Sequence, residues 1–127
     1  MPHQFKKHYS REEARALLPQ LREWLRQLDH VRVRLQQADR RLCGLMEPGR
    51  DLGGDLANTW VRLILDVRDL VQEFQRRDIL VKDIERGLVD FPALLGGREV
   101  FLCWEKDEED VEFWHELDAG YAGRERL

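Results

Sequence analysis

The sequence predicts an α+β fold: a long antiparallel helical hairpin packed with a small C-terminal antiparallel β-meander. Three observations predict it. Apolar residues recur at alternating steps of three and four from Ala14 to Leu45, and again from Leu56 to Phe74. A Pro/Gly-rich stretch, "MEPGRDLGGD", separates the two runs. After Gly87 the apolar period changes to two, the period of a strand. The 127 residues read as one domain, 1–127, with the hairpin over 10–77 and the meander and C-terminal segment over 87–127.

The first helix opens at Ser10–Glu13, an S-x-x-E capping box. The Ser10 hydroxyl accepts from the amide of residue 13 and Glu13 reaches back, a cap worth about 1 kcal/mol. Ala14, Leu17, Leu21, Trp24, Leu28, Val31, Leu35, Ala38, Leu42 and Leu45 then form a heptad seam flanked mostly by Arg, Gln, Glu and Asp. Pro19 lies inside this run. It lacks an N–H and disfavours a helical Leu18, so a kink or short break is expected there.

Pro48, Gly49, Gly53 and Gly54 stop the helix, and Asp55 is placed to cap the next. Leu56, Trp60, Leu63, Val67, Leu70 and Phe74 carry the second seam to Arg77. Val61, Ile64, Leu65 and Val71 widen it, which predicts burial around more of this helix. At 1.5 Å per residue the helices run about 54 Å and about 35 Å. Aligning Leu45 with Leu56 puts Phe74 near Gln27 and leaves Ala14–Trp24 without a helical partner. That overhang calls for the C-terminal part of the same chain or for a second copy, and a homodimer through the first helix is the expectation.

In "GLVDFPALLGGREVFLCW" the Gly96–Gly97 pair suits a type I′ hairpin. Counting outward pairs Leu95 with Arg98, Ala93 with Val100, Phe91 with Leu102 and Val89 with Trp104, which gathers apolar residues on one face. Asp90, Pro92, Leu94, Glu99, Phe101 and Cys103 share the other. Pro92 suggests that the first of these strands is an edge. "EKDEED" is an acidic turn and "VEFWHEL" a third strand; "ILVKDI", before Gly87, reads as either a further short strand or a crossing segment. Pairing Trp104 with Val111 across the acidic turn would put His115 on the apolar face. Such a meander is marginal alone, so its apolar face must rest on the helices. Trp24, Trp60 and Trp104 read as core.

Charge is uneven. Residues 1–50 hold eleven Lys/Arg against six Asp/Glu, and residues 51–127 hold ten against nineteen. Seventeen of the twenty-one basic residues are arginine, which forks onto carboxylates, so the two halves are expected to face each other within the fold or across a dimer. The net charge of −4 argues against a nucleic-acid stripe on the first helix. No apolar run approaches the ~20 residues of a membrane span, and no secretory h-region is visible in "MPHQFKKHYS". Cys43 and Cys103 are isolated thiols. These features point to a cytoplasmic location without membrane association.

"GLVDFPALLGGREVFLCW" followed by "FWHELDAGYAGR" resembles the hallmark of an uncharacterised bacterial family, the domain of unknown function 2203 family. "SREEARALLPQL" fits that family's opening. The resemblance covers essentially the whole chain. It implies a small cytoplasmic bacterial protein with a helical pair and a C-terminal sheet, and it implies no activity.

The binding candidates are Asp90, Arg98, His115, Glu116, Asp118 and Arg124. Asp90 stands among apolar strand residues, where a carboxylate is costly unless paired. Its expected roles are an ion pair with Arg86, Arg98 or Arg124, or the lining of a pocket. His115, Glu116 and Asp118 are the metal candidates, with Asp90 and Cys103 as further ligands for His115, though none has the spacing of a closed zinc site. A hydrogen-bonded core histidine is the bland alternative for His115. "AGYAGR" can curl into an anion nest or be an irregular segment. "WHELDAGYAGR" is expected to pack back across the sheet, with Arg124 on Asp90, Glu99 or Glu116. There is no HExxH, G-x-S-x-G or Walker loop. The reading is a non-enzymatic binding or protein-interaction module, with no cofactor expected and its small-molecule or protein ligand unspecified. The alternative is a small metal-assisted enzyme using Asp90, His115 and Glu116.

Overall fold

The computed structural model describes residues 3–45 and 54–127. Two α-helices, α1 (Arg11–Leu45) and α2 (Gly54–Gln75), precede five strands: β1 (Leu80–Asp83), β2 (Leu88–Leu95), β3 (Arg98–Glu105), β4 (Phe113–Glu116) and β5 (Glu125–Arg126). The strands form one antiparallel sheet in sequence order. The side chains of Leu42, Cys43 and Leu45, and the turn with Pro48, Gly49 and Gly53, lie outside the described residues.

The capping box closes α1 as its residue types dictate. Glu13 N donates to Ser10 Oγ, and Ser10 N donates to a Glu13 carboxylate oxygen, both at 3.1 Å. Pro19 does not break the helix. It lies on the exposed side, where water can take the acceptor that its missing N–H leaves free. Asp55 lies inside the first turn of α2, which already begins at Gly54, so it does not take the cap position expected of it.

The helices are antiparallel neighbours. Val31 and Ala38 of α1 pack with Leu63 of α2. Trp24 meets Phe74 edge-on at 5.5 Å, about one turn from the expected Gln27 level. The N-terminal half of α1 buries Ala14, Leu18, Leu21, Leu25 and Leu28. This face keeps the seam residues Ala14, Leu21 and Leu28 but puts Leu18 and Leu25 in the places expected of Leu17 and Trp24, because α1 packs on both α2 and the sheet: Trp24 turns to Phe74 while Leu18 and Leu25 join the core. The chain's own sheet thus covers the Ala14–Trp24 overhang, which removes the reason for assigning it to a second copy. The α2 stripe is narrower than expected. Val61, Ile64 and Leu65 are 51%, 42% and 47% exposed, and Trp60 is 37% exposed with its indole N–H donated to Asp39. Trp60 thus reaches across to α1, whereas Val61, Ile64 and Leu65 lie off the Leu63 face that packs on it, and the sheet covers only the other end of the hairpin.

The β2–β3 hairpin has the expected register, Val89↔Trp104 through Leu95↔Arg98, closed by Gly96 and Gly97 at φ 59° and 78°. Val89, Phe91, Ala93, Val100, Leu102 and Trp104 face the helices as core. β2 is an internal strand, contrary to the edge position inferred from Pro92. Proline is tolerated because β1 pairs no farther than Asp90, so Pro92 owes no amide to that side. Its carbonyl instead accepts from Tyr9 N at 2.7 Å.

The charge asymmetry resolves within the chain. Arg15 forks onto Asp110 with two 2.8 Å bonds, Arg11 reaches the same carboxylate at 3.4 Å, and Arg22 donates to the Glu108 carbonyl at 3.0 Å. Basic α1 thereby lies along the acidic turn before β4.

Candidate functional site

The site follows from one register. β3 pairs with β4 as Phe101↔His115 and Cys103↔Phe113. Continuing that count would place Trp104 opposite Glu112, not Val111. A one-residue slip exchanges the two faces of a strand. His115 therefore lies with Asp90, Phe101 and Cys103 on the face turned away from the helices, not on the core face.

Asp90 on β2 and His115 on β4 flank β3, so their backbones are about 10 Å apart at the usual strand spacing. The two side chains lean over β3 beside the small Cys103 and meet with His115 Nε2 3.0 Å from Asp90 Oδ1. Phe101 packs on the imidazole with ring centroids 5.5 Å apart. Asp90 is 2% exposed and His115 3%, so this is a buried polar pair. Its partner is the histidine and not one of the expected arginines. Arg86 is taken by Glu105 at 2.8 Å and Arg98 by Glu116 at 2.8 Å.

The proton inventory of the pair is constrained. His115 Nδ1 is 2.7 Å from the Glu116 carbonyl, which can only accept, so Nδ1 donates. In a neutral imidazole that leaves Nε2 with a lone pair facing a carboxylate. Two acceptors at 3.0 Å need a cation between or beside them, a shared proton or a metal ion. Cys103, 1% exposed, completes the cluster. Burial chiefly, then the Asp90 charge, push its thiol up to about 12, with Arg124 pulling the other way. Donor atoms of Asp90, Cys103 and His115 all lie within 4.8 Å of one another.

A cavity of about 190 Å³ opens over this cluster, bounded by Lys82, Phe101, Leu117 and Tyr121. Its far wall is the C-terminal segment, which folds back along the edge of the sheet. A 3₁₀ turn at Tyr121–Gly123 leads into β5, which pairs with β4 at Trp114↔Glu125 and Phe113↔Arg126. Arg124 anchors it, but on Glu108 at 2.8 and 2.9 Å and not on Asp90, Glu99 or Glu116. The guanidinium also lies over Phe113 at 3.8 Å and Tyr121 at 4.6 Å.

Of the sequence candidates, the cavity brings together Asp90 and His115. Glu116 alternates to the other face and pairs with Arg98 at the surface, and Asp118 is exposed beyond the strand. Arg124 holds the wall in place. Cys103 belongs to the cluster, although the expected register had put it and His115 on different faces of the sheet. Lys82, from the short first strand, was not legible as a site residue; its ammonium stands 5.7 Å from the Phe101 ring centroid. A larger cavity, about 390 Å³, lies between the helices near His30 and Asp66. Both are exposed, so nothing there resembles the buried pair.

The N-terminal residues were also missed. Glu99 accepts from Gln4 N at 2.8 Å, Phe5 N at 3.1 Å and His8 Nε2 at 2.7 Å. Tyr9 donates its hydroxyl to the Arg77 carbonyl at 2.7 Å. Residues 4–9 thus form a strap that reaches the outer face, where Phe5 packs on Phe101 at 5.4 Å.

No curated protein and no solved structure matches this chain. A family model described as an uncharacterized conserved protein, DUF2203, matches residues 7–127. The chain belongs to the DUF2203 family.

Proposed function

We propose that the chain is a non-enzymatic binding module whose ligand site is the outer-face cavity over Asp90, Cys103 and His115. The observation that carries this reading is the buried Asp90–His115 pair under a cavity. A buried ionisable pair costs desolvation that apolar residues would not, and here it lies outside the main core with a hollow above it. At roughly 30 Å³ per water the cavity takes about six waters or a ligand of a few heavy atoms. Asp90 and His115 supply the polar contacts, and Phe101 and Leu117 an apolar wall.

A solute panel tests this reading: acetate, imidazole, inorganic phosphate and zinc ion, titrated into the full chain while His115 and Cys103 are followed by NMR. Saturable movement of both residues with at least one solute, absent in His115→Gln, is the result expected. No response to any of the four overturns the assignment.

A second reading, interaction between copies of this chain, is favoured by the exposed Val61, Ile64 and Leu65 on the outside of α2. It moves the dimer contact from α1 to α2. Sedimentation at micromolar concentration then gives twice the chain mass, and Leu65→Glu returns the monomer. A monomeric parent chain would refute it.

A further inference from the structure

We propose that Asp90, Cys103 and His115 hold one divalent transition-metal ion of zinc's class, through a carboxylate oxygen, Sγ and Nε2. This rests on the binding-module reading and names the ligand's chemical class. Three donors of different type converge within 4.8 Å, and all three are buried. Bonds of about 2.0–2.3 Å at tetrahedral angles set donor atoms about 3.3–3.8 Å apart, so the 3.0 Å Asp90–His115 contact opens by only a few tenths of an ångström.

The histidine is already oriented for ligation. Its Nδ1–H is engaged by the Glu116 carbonyl at 2.7 Å, which turns the Nε2 lone pair toward the other two donors. Metal-bound histidines are held by this kind of outer contact. The donor set selects the metal class. One nitrogen, one sulfur and one oxygen suit zinc, cobalt(II) or iron(II), whereas magnesium and calcium take oxygen. Three protein donors leave a fourth position, which faces the cavity. Binding releases the Cys103 thiol proton, and the proton shared by Asp90 and His115, to solvent. No electron is transferred.

His3, His8 and Glu99 are also mutually close, but His3 is exposed and Glu99 already accepts from two backbone amides. That group serves as the control.

Cobalt(II) is the probe, because its thiolate complexes absorb in the near ultraviolet. The full chain, stripped with chelator and kept reduced, is titrated with cobalt(II). The expected result is one equivalent bound with a thiolate-to-cobalt band, unchanged in Cys43→Ser and Glu99→Gln. Cys103→Ser loses the band, and His115→Gln weakens binding by more than about 100-fold, beyond what loss of an outer contact costs. Absence of the band in the folded parent chain overturns the proposal without recourse to any variant. A band that survives Cys103→Ser, or vanishes in Cys43→Ser, overturns it equally. If cobalt gives no band but another solute of the panel moves His115, the metal assignment alone fails; if nothing moves His115, the binding-module reading fails with it.

Discussion

Phe101 stands directly opposite His115 in the β3–β4 ladder, and the two rings lie 5.5 Å apart. This pairing directs His115 over β3 to Asp90. Everything distinctive about the outer face follows from it: the buried pair, the adjacent thiol and the cavity above them.

Asp90 and His115 are expected to be energetically coupled. Breaking a buried ion pair by removing one partner costs about 3–5 kcal/mol, because the other is left unpaired. Asp90→Ala and His115→Ala are each expected to lower stability on that scale, and the double variant by clearly less than their sum. Urea unfolding of the four chains measures the cycle. Additive losses would mean that the two residues do not interact.

Arg124 is a structural anchor for the cavity wall. Its side chain is 10% exposed, and it combines the Glu108 contact with stacking on Phe113 and Tyr121. Lysine keeps the charge but cannot stack as a planar group. Arg124→Lys is expected to cost about 1–2 kcal/mol and to speed amide exchange at Glu125 and Arg126. Deleting residues 119–127 should lower the melting temperature clearly. Unchanged melting in both would mark the segment as a passive tail.

The N-terminal strap is expected to loosen in acid. Burial pushes the Glu99 carboxyl up, but the bonds from His8 and the Gln4 and Phe5 amides outweigh it and hold it below its ordinary 4.5. A depressed carboxylate contributes stability that is complete above the unfolded value and lost as pH falls through the folded one. Exchange at Gln4 and Phe5, referred to the intrinsic rates, should lose protection below about pH 4.5, and Glu99→Gln should abolish that step. Protection that persists once the Glu99 carboxyl has titrated would contradict the assignment.

Leu21 and Leu65 separate the buried face of the hairpin from the exposed one. Leu21 is fully buried and Leu65 is 47% exposed. Leu21→Ala is expected to cost about 2–5 kcal/mol, and Leu65→Gln to stay within about 0.5 kcal/mol in the monomer. Equal losses in thermal or urea unfolding would refute the placement of α1 on the sheet.

Local rules carried most of this architecture. The capping box and the β2–β3 register are fixed by contacts a few residues apart or by a two-residue turn, and the helical pair shows in two apolar seams on either side of a Pro/Gly-rich stretch. The β4 register is different. Seven residues, 106–112, separate it from β3, and an irregular turn can absorb one residue more or less. Val111 is fully buried, as the sequence pattern demands, but it is buried before the strand begins. That single residue decided whether His115 met the core or Asp90, so the candidate site was half legible. Asp90 and His115 were identifiable as residues that need partners; that they need each other was not. The exposed face of α2 was misread for a related reason. Apolar periodicity reports which residues can be buried, and the sheet's extent decides which ones are.

The most direct measurement is the nitrogen-15 imidazole spectrum of His115 in the metal-free chain. A proton held on Nδ1 in slow exchange with water, with an Nε2 signal that shifts in Asp90→Asn, is the result predicted by a buried ring bonded to Glu116 and Asp90. A ring whose Nδ1 proton exchanges freely, and whose Nε2 ignores the Asp90 substitution, would contradict the site.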